Sequence, residues 1–429
     1  MYFPRRIPIA LTVILSTASL ASAGDWPRFR GPNGSALSED AGTPVRWSAS
    51  ENIVWRTKLP GPGSSSPIIT GGKVFVTSWT GYGDDPKIED PANLKHVLVC
   101  VDERDGTIVW QKEVKAAPAE DPMNGMLATH GYASNTPATD GERVYVLFGK
   151  SGVLAFDLAG NQLWQRSVGT DPHPMGWGSA ASPIVYKNLV IVNAAAAGRA
   201  LYAFDGKTGR QVWKNPASSL SNCWGTPVLV DVAGGKQELA ISVPLEIWGL
   251  DPDTGDFLWF SEGVRTMAAC TSLVAHDGVV YCVAGGPGQS GAVAIRAGGR
   301  DDVTKTHTLW TKNLGSYVPS PVLVGDYLYW VNNEGIAACI SRETGDQVYS
   351  KRIPDAGQFY ASLTAAGDKL YAVSRGGGTF VLAARPEFEV LAHNTLDSDA
   401  GTFNASPAVD SGKLILRSNK YLYCIGPKK

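Results

Sequence analysis

The stretch Tyr202–Trp213, YAFDGKTGRQVW, sets a carboxylate, a hydroxyl beside a glycine and an indole at fixed spacing. A carboxylate and a hydroxyl three residues apart could grip a cation or a polar ligand, and an indole could stack on a flat cofactor. The frame returns elsewhere, however. Small-x-Asp-x-x-Thr-Gly-x-x-x-Trp is met by CVDERDGTIVW (Cys100–Trp110, Asp for Thr), by GLDPDTGDFLW (Gly249–Trp259) and by CISRETGDQVY (Cys339–Tyr349, Tyr in the last place). AFDLAGNQLW (Ala155–Trp164) is one residue shorter, AIRAGGRDDVTKTHTLW (Ala294–Trp310) carries an insertion, and LAARPEFEV (Leu382–Val390) keeps only the outline. A recurring unit is a device for building the fold. Its Asp starts a turn by accepting from nearby amides, and its Gly takes the positive-φ position that follows. Its aromatic ring, at Trp55, Trp110, Trp164, Trp213, Trp259, Trp310 and Tyr349, wedges between neighbouring repeats with the indole N–H free to meet a carbonyl. Removing one such ring is expected to cost about 3–5 kcal/mol.

Each copy is preceded by Ser/Thr-Pro, an apolar alternation, a Gly-containing turn and a second alternation, as in SSPIITGGKVFVTS, NTPATDGERVYVLFG, ASPIVYKNLVIVN, PSPVLVGDYLYWVN and ASPAVDSGKLILRS. Two hairpins per repeat, recurring every ~40 to 55 residues, describe four-stranded propeller blades. First strands are expected near Pro67, Pro137, Pro183, Pro227, Ser272, Pro321, Ser362 and Pro407, which makes eight. The last repeat stops after YLYCIG (Tyr421–Gly426), one strand short, and ENIVWRTKLP (Glu51–Pro60) has the terminal tryptophan with no strands before it. The expectation is an all-β, eight-bladed propeller of four-stranded antiparallel blades over residues 45–429, its last blade closed by an N-terminal strand, with an arm at 24–44. Closure removes the sheet edges that an open ring would present.

The chain has 429 residues and a net charge of −2, with no basic run to suggest a nucleic-acid or anionic-membrane surface. Its 48 glycines and 27 prolines are spread evenly, as short strands joined by turns require. Arg5 and Arg6, the apolar run Ile7–Leu20 and Ala21-Ser22-Ala23 read as a secretory signal peptide over 1–23. With no cysteine at the cleavage site, the expectation is an exported, periplasmic or secreted protein without a lipid anchor. Of the six cysteines, Cys100, Cys339 and Cys424 occupy the position where Ala203 stands in another copy and read as small buried hydrophobes. Cys270 and Cys282 flank a hairpin turning at Asp277-Gly278, and a bridge between them is left open, since a tight turn there would not set them opposite each other.

The Asp-x-x-Thr-Gly-x-x-x-Trp unit resembles the docking motif of the quinoprotein, or PQQ-like, repeat superfamily. That group holds both quinone-dependent alcohol dehydrogenases and the non-enzymatic BamB-type assembly factors. DWPRFRGPNG (Asp25–Gly34) and HGYASNTPATDGERVYVLFGKSG (His130–Gly152) resemble exported members of planctomycete type. The likeness covers the mature chain and implies the fold more specifically than any activity, because members with and without cofactor share the repeat.

In such a propeller the inter-blade loops share one face and the Thr-Gly turns lie on the other. The long insertions, 78–96, 115–134 and 169–179, all fall on the first face. Loop ends there converge on the axis and carry His130, Tyr132, Asn135, Trp177, Asn222, Trp224, Arg265, Thr266, Tyr317, Tyr360, Phe403 and Asn404, a funnel for a ligand or peptide, or a plug for the channel. What the resemblance implies for a dehydrogenase is a stacking surface, cations for the quinone carboxylates, a calcium cage and a carboxylate base. Trp177 or Trp224 could stack and Arg265 could pair a carboxylate. Against this, no Cys-Cys pair is present, no Asp or Glu stands at the blade-entry positions, and Asp84, Asp85, Glu89 and Asp90 read as a solvated insertion. No zinc pattern, phosphate loop or nucleophile elbow occurs. The expectation is a monomeric, non-catalytic propeller without cofactor or metal that binds a protein or envelope partner. A divergent PQQ- and calcium-dependent alcohol or sugar dehydrogenase is the alternative.

Overall fold

The computed structural model describes residues 25–286 and 288–427; the signal-peptide assignment at 1–23 lies outside them. Eight sheets are arranged as blades whose first strands are Ile68–Thr70, Ala138–Thr139, Ile184–Tyr186, Val228–Val232, Val274–His276, Val322–Val324, Thr364–Ala366 and Ala408–Asp410. These define blades 1 to 8 in chain order. Strands inside a blade are packed on both faces by neighbouring blades, so Leu189–Asn193 is buried throughout; the outer strand Ile108–Lys115 alternates because its blade face meets solvent. Blade 8 takes its outer strand from Ile53–Lys58, paired antiparallel with Tyr421–Ile425. Its Trp55 lies opposite Cys424, the register that puts Trp213 opposite Ala203.

The motif explains itself in this geometry. A small residue faces the ring in strand pairing: Cys100 for Trp110, Ala155 for Trp164, Gly249 for Trp259 and Ala294 for Trp310. A β-bulge at the residue before the ring re-aims it toward the next blade. There it lies flat on the turn glycine: a Cβ at Gly209 (φ 68°) would fall 2.6 Å from the Trp164 ring. Gly106 under Trp55, Gly160 under Trp110, Gly255 under Trp213 and Gly345 under Trp310 repeat this contact. Glycine is thus required twice, for its dihedral and for the ring above it. The indole N–H then reaches a carbonyl of the same turn, Trp164 to Gly206 at 2.9 Å and Trp213 to Pro252 at 3.1 Å.

Two interfaces depart from the expected bond. Trp259 faces the blade whose turn carries the insertion, and its N–H goes to the buried Glu238 carboxylate at 2.7 Å instead of a carbonyl. Tyr349 meets Phe388 edge-on, 5.6 Å between centroids. A third case was not visible in the repeat. Blade 7 offers only Ala392 opposite Val381, and Trp47, from outside the repeat, lies over Tyr371 as Trp164 lies over Tyr145. Asn394 fixes it, accepting from the Trp47 amide and donating to the Val45 carbonyl, both at 2.9 Å.

The arm is not peripheral. It winds inside the lower channel along the unpaired inner edges of the first strands. Trp26 pairs with Ile69 of blade 1, and Thr139 of blade 2 donates to the Pro27 carbonyl at 2.9 Å. Arg28 donates to the Pro227 carbonyl of blade 4 at 3.1 Å, Arg30 to that of Pro321 in blade 6, and Ala365 of blade 7 to Ala36 at 2.8 Å. Both guanidiniums are buried, and desolvation lowers them to about 10 and about 9. All six cysteines are free; Cys282 is buried against Ser242 and Cys270 faces the axis, so the two are not bridged.

Candidate functional site

Blocked from below by the arm, the channel is a blind recess of about 920 Å³, counted out to its mouth on the loop-bearing face. Phe29 is its floor. The wall is a belt of hydroxyls, one per blade, from the residue two before each first strand. Ser66 N–H donates to Thr136 Oγ1 at 2.9 Å, Thr136 to Ser182 at 3.0 Å, Ser182 to Thr226 at 3.0 Å and Thr226 to Ser272 at 3.0 Å. Ser272 continues to Ser320, Ser320 to Ser362 and Ser362 to Ser406, each at 2.9 Å, and Ser406 closes on Ser66 at 3.0 Å. The recurring Ser/Thr-Pro of the sequence is this belt. It stitches every blade to the next and turns eight oxygens toward one space.

Above the belt, six of the residues expected at the mouth come together: His130, Trp177, Trp224, Tyr317, Tyr360 and Asn404. Trp177 and Trp224 lie 4.8 Å apart, tilted by 33°, with the Trp224 N–H held by the Gly178 carbonyl at 2.9 Å. His130 is wired at both nitrogens, Nδ1 to Ser134 Oγ at 2.6 Å and Nε2 to the Trp177 carbonyl at 2.9 Å. Burial lowers its pKa, which favours the neutral imidazole. Desolvation pushes the Cys270 thiol and the Tyr317 phenol up to about 12, so neither is a ready nucleophile. No Asp, Glu, Lys or Arg is among the lining residues.

The other expected residues go elsewhere. Tyr132 turns back between loops, donating to the Asp121 carbonyl at 2.6 Å and packing edge-on against Trp79. Asn135 is a buried clamp between blades 2 and 3, through Ser179 and the Ala181 carbonyl. Asn222 offers its backbone carbonyl to Ala269, Arg265 is exposed, Thr266 ties its own loop to the Gly285 carbonyl, and Phe403 stacks on Tyr423. Phe29 and the belt were not singled out in advance. The arm's distance in sequence hides the first; the second was legible only as a recurring dipeptide.

A wider groove of about 1780 Å³, open to solvent, joins the recess through Ser64, His130 and Asn404 and carries Lys58, Arg375, Lys420 and Asp84. Arg375 is held over the Tyr360 ring, 4.4 Å from its centroid, and donates to Asn404 at 2.9 Å. Among the described residues no group of three or more His, Cys, Asp or Glu is placed to hold a metal, and no helix is long and apolar enough to cross a membrane.

Fold and repeat define an eight-bladed propeller of the quinoprotein-repeat class. Within it, the chain belongs to the family described as outer membrane protein assembly factor BamB, which matches residues 15–176 and 95–351. BamB from Moraxella catarrhalis shares the fold at a TM-score of 0.61 and 14% identity, over 88% of this chain and 97% of that one. The quinohemoprotein alcohol dehydrogenase ADHIIG from Pseudomonas putida HK5 does so at 0.58 and 14%, over 95% and 81%. A europium-containing methanol dehydrogenase follows at 0.55 and 10%, over 94% and 98%. At these identities the likeness is one of fold. No curated protein matches the sequence.

Proposed function

We propose that this is an exported, monomeric, non-catalytic propeller that holds a protein or other cell-envelope partner at its loop-bearing face. The observation that carries the proposal is the lining of the axial recess. It is aromatic and hydroxylic, without Asp, Glu, Lys or Arg, and His130, Trp177, Trp224, Tyr317, Tyr360 and Asn404 bring it to the loop-bearing face. Quinone and calcium do not fit it: the ion asks for carboxylate oxygens and the quinone carboxylates for cations, and the lining offers neither. Arg28 and Arg30 lie beneath the floor, committed to strand carbonyls. On loops of the same face, Met175, Leu245 and Met267 stand exposed and offer apolar contacts to a partner. Export rests on the leader expected at 1–23 and on the BamB family.

The test is retention from envelope extract on the immobilised mature protein. Wild type is expected to retain a saturable binder; the triple variant Met175→Asp, Leu245→Asp, Met267→Asp loses it, and Lys207→Asp on the opposite face does not. Retention that ignores the loop-face triple, or none at all, removes the proposal. In parallel, PQQ with Ca²⁺ is expected to leave tryptophan fluorescence unchanged. Saturable quenching together with dye reduction by an alcohol would establish the dehydrogenase instead.

A further inference from the structure

We infer that the axial recess is a binding site for the terminal residue of a neutral glycan, a hexose-type ring seated on Phe29 with the chain leaving through the adjoining groove. The inference rests on the loop-bearing face being the binding face.

The belt hydroxyls carry the first half of the argument. Each is buried, from 1% to 6% exposed, and each oxygen already accepts one amide N–H. Among the described residues, however, none of the eight O–H protons is donated to a protein atom. All eight belt residues line one small space, and an occupant without acceptor oxygens would strand each hydroxyl it covers at a cost of about 1–3 kcal/mol. A purely apolar ligand is disfavoured on that ground. An anion would find no cation in the lining, and a cation no carboxylate.

Aromatic surface carries the second half. Trp177, Trp224, Tyr317, Tyr360 and Phe29 present ring faces and edges around the same space. A π face is electron-rich and attracts the weakly positive C–H bonds of an aliphatic ring. A pyranose offers both complements at once, a C–H face for an aromatic ring and a rim of hydroxyls that accept from Ser and Thr while donating to Asn404 or tyrosine oxygens. The recess is a dead end, so it takes a chain terminus rather than a chain in passing. A polypeptide terminus brings a charge into a lining that cannot answer it, whereas the non-reducing end of a neutral glycan brings none.

The experiment is saturation-transfer NMR on the intact mature protein. The probes are glucose, galactose, mannose and N-acetylglucosamine, then cellohexaose and maltohexaose, with the capped neutral peptide acetyl-Gly-Ser-Gly-Ser-Gly-amide as comparator. Ring-proton saturation from at least one sugar is expected, with an oligosaccharide binding at least tenfold more tightly than its monomer. Trp177→Ala should weaken binding at least tenfold. Tyr360→Phe, which keeps the ring and removes one hydroxyl, should weaken it a few-fold, and unchanged thermal unfolding would show that both variants fold. Absence of saturation from every sugar overturns the inference, as does equal saturation of the peptide or binding that ignores Trp177→Ala. If sugars fail while loop-face retention from extract persists, this inference alone falls.

Discussion

Blades 2 and 3 meet through a ring that the repeat supplies, whereas blades 7 and 8 meet through one that the repeat lacks. At the first interface Trp164 stacks on Gly209 and donates to Gly206. At the second, Ala392 leaves the slot empty and Trp47 enters it from the N-terminal segment, over Tyr371 at 6.2 Å. The difference teaches that the ring needs an aromatic wedge at each closure and is indifferent to its origin. Trp259 makes the same point for the polar half of the contact, since Glu238 replaces a turn carbonyl where an insertion has displaced the turn.

The largest effect should come from deleting residues 25–44. Six blades would lose arm partners, and inner strand edges would face an open channel. The variant is expected to elute by size exclusion as aggregates larger than the parent. A well-behaved monomer would show that the blades close without the arm. Next come Trp164→Ala and Trp47→Ala, each expected to lose about 3–5 kcal/mol in denaturant unfolding. A Trp47→Ala loss below about 0.5 kcal/mol, the range of ordinary surface substitutions, would break the equivalence of the two slots.

The fold was legible because one packing problem is solved in most blades with the same residue types. Asp205, Gly209 and Trp213 have counterparts at the same spacing in Asp102, Gly106 and Trp110 and in Asp251, Gly255 and Trp259, since turn, ring contact and bulge fix the positions between them. The recess was legible only in part. Position at a loop end does not say whether a side chain faces the axis or turns back between blades. Trp177 and Tyr317 face it, while Tyr132 turns toward Trp79 and Asn135 crosses to Ala181. Phe29 reaches the recess from an arm whose path is set by unpaired strand edges rather than by any local pattern.

The seam between blades 8 and 1 carries a buried guanidinium and a buried carboxyl. Near the mouth, buried Arg417 clasps blade 1 through the Ser65 carbonyl at 2.9 Å and Ser78 Oγ at 3.2 Å. Near the turns, Glu103 is raised from 4.5 to about 7, first by burial and then by the neighbouring Asp410 carboxyl. Lys413 Nζ, 3.8 Å from Glu103 Oε1, offsets only part of this, and Asp102 adds to it. A carboxyl raised on folding stabilises fully below its unfolded value and ceases to do so as pH rises through its folded one. Stability should therefore fall between about pH 4.5 and 7, and Glu103→Gln should flatten that slope in urea midpoints taken across the range. A slope unchanged in Glu103→Gln would place the titration elsewhere.

The smallest predicted difference separates the two slots most sharply. The Trp164 N–H is bonded to the Gly206 carbonyl, whereas the buried Trp47 N–H has no partner among the described residues. Phenylalanine keeps most of the ring at either site and removes the N–H. In Trp164→Phe the Gly206 carbonyl loses its donor, for an expected loss of about 0.5–1.5 kcal/mol beyond that of the smaller ring. In Trp47→Phe a buried, unsatisfied donor disappears, and its removal should recover part of what the smaller ring gives up. Urea midpoints of the two variants, measured side by side, are thus expected to show Trp47→Phe as the milder change. Equal losses would mean that the Trp47 N–H is satisfied after all, by a buried water, and that the substitute slot reproduces the repeat's hydrogen bond as well as its ring.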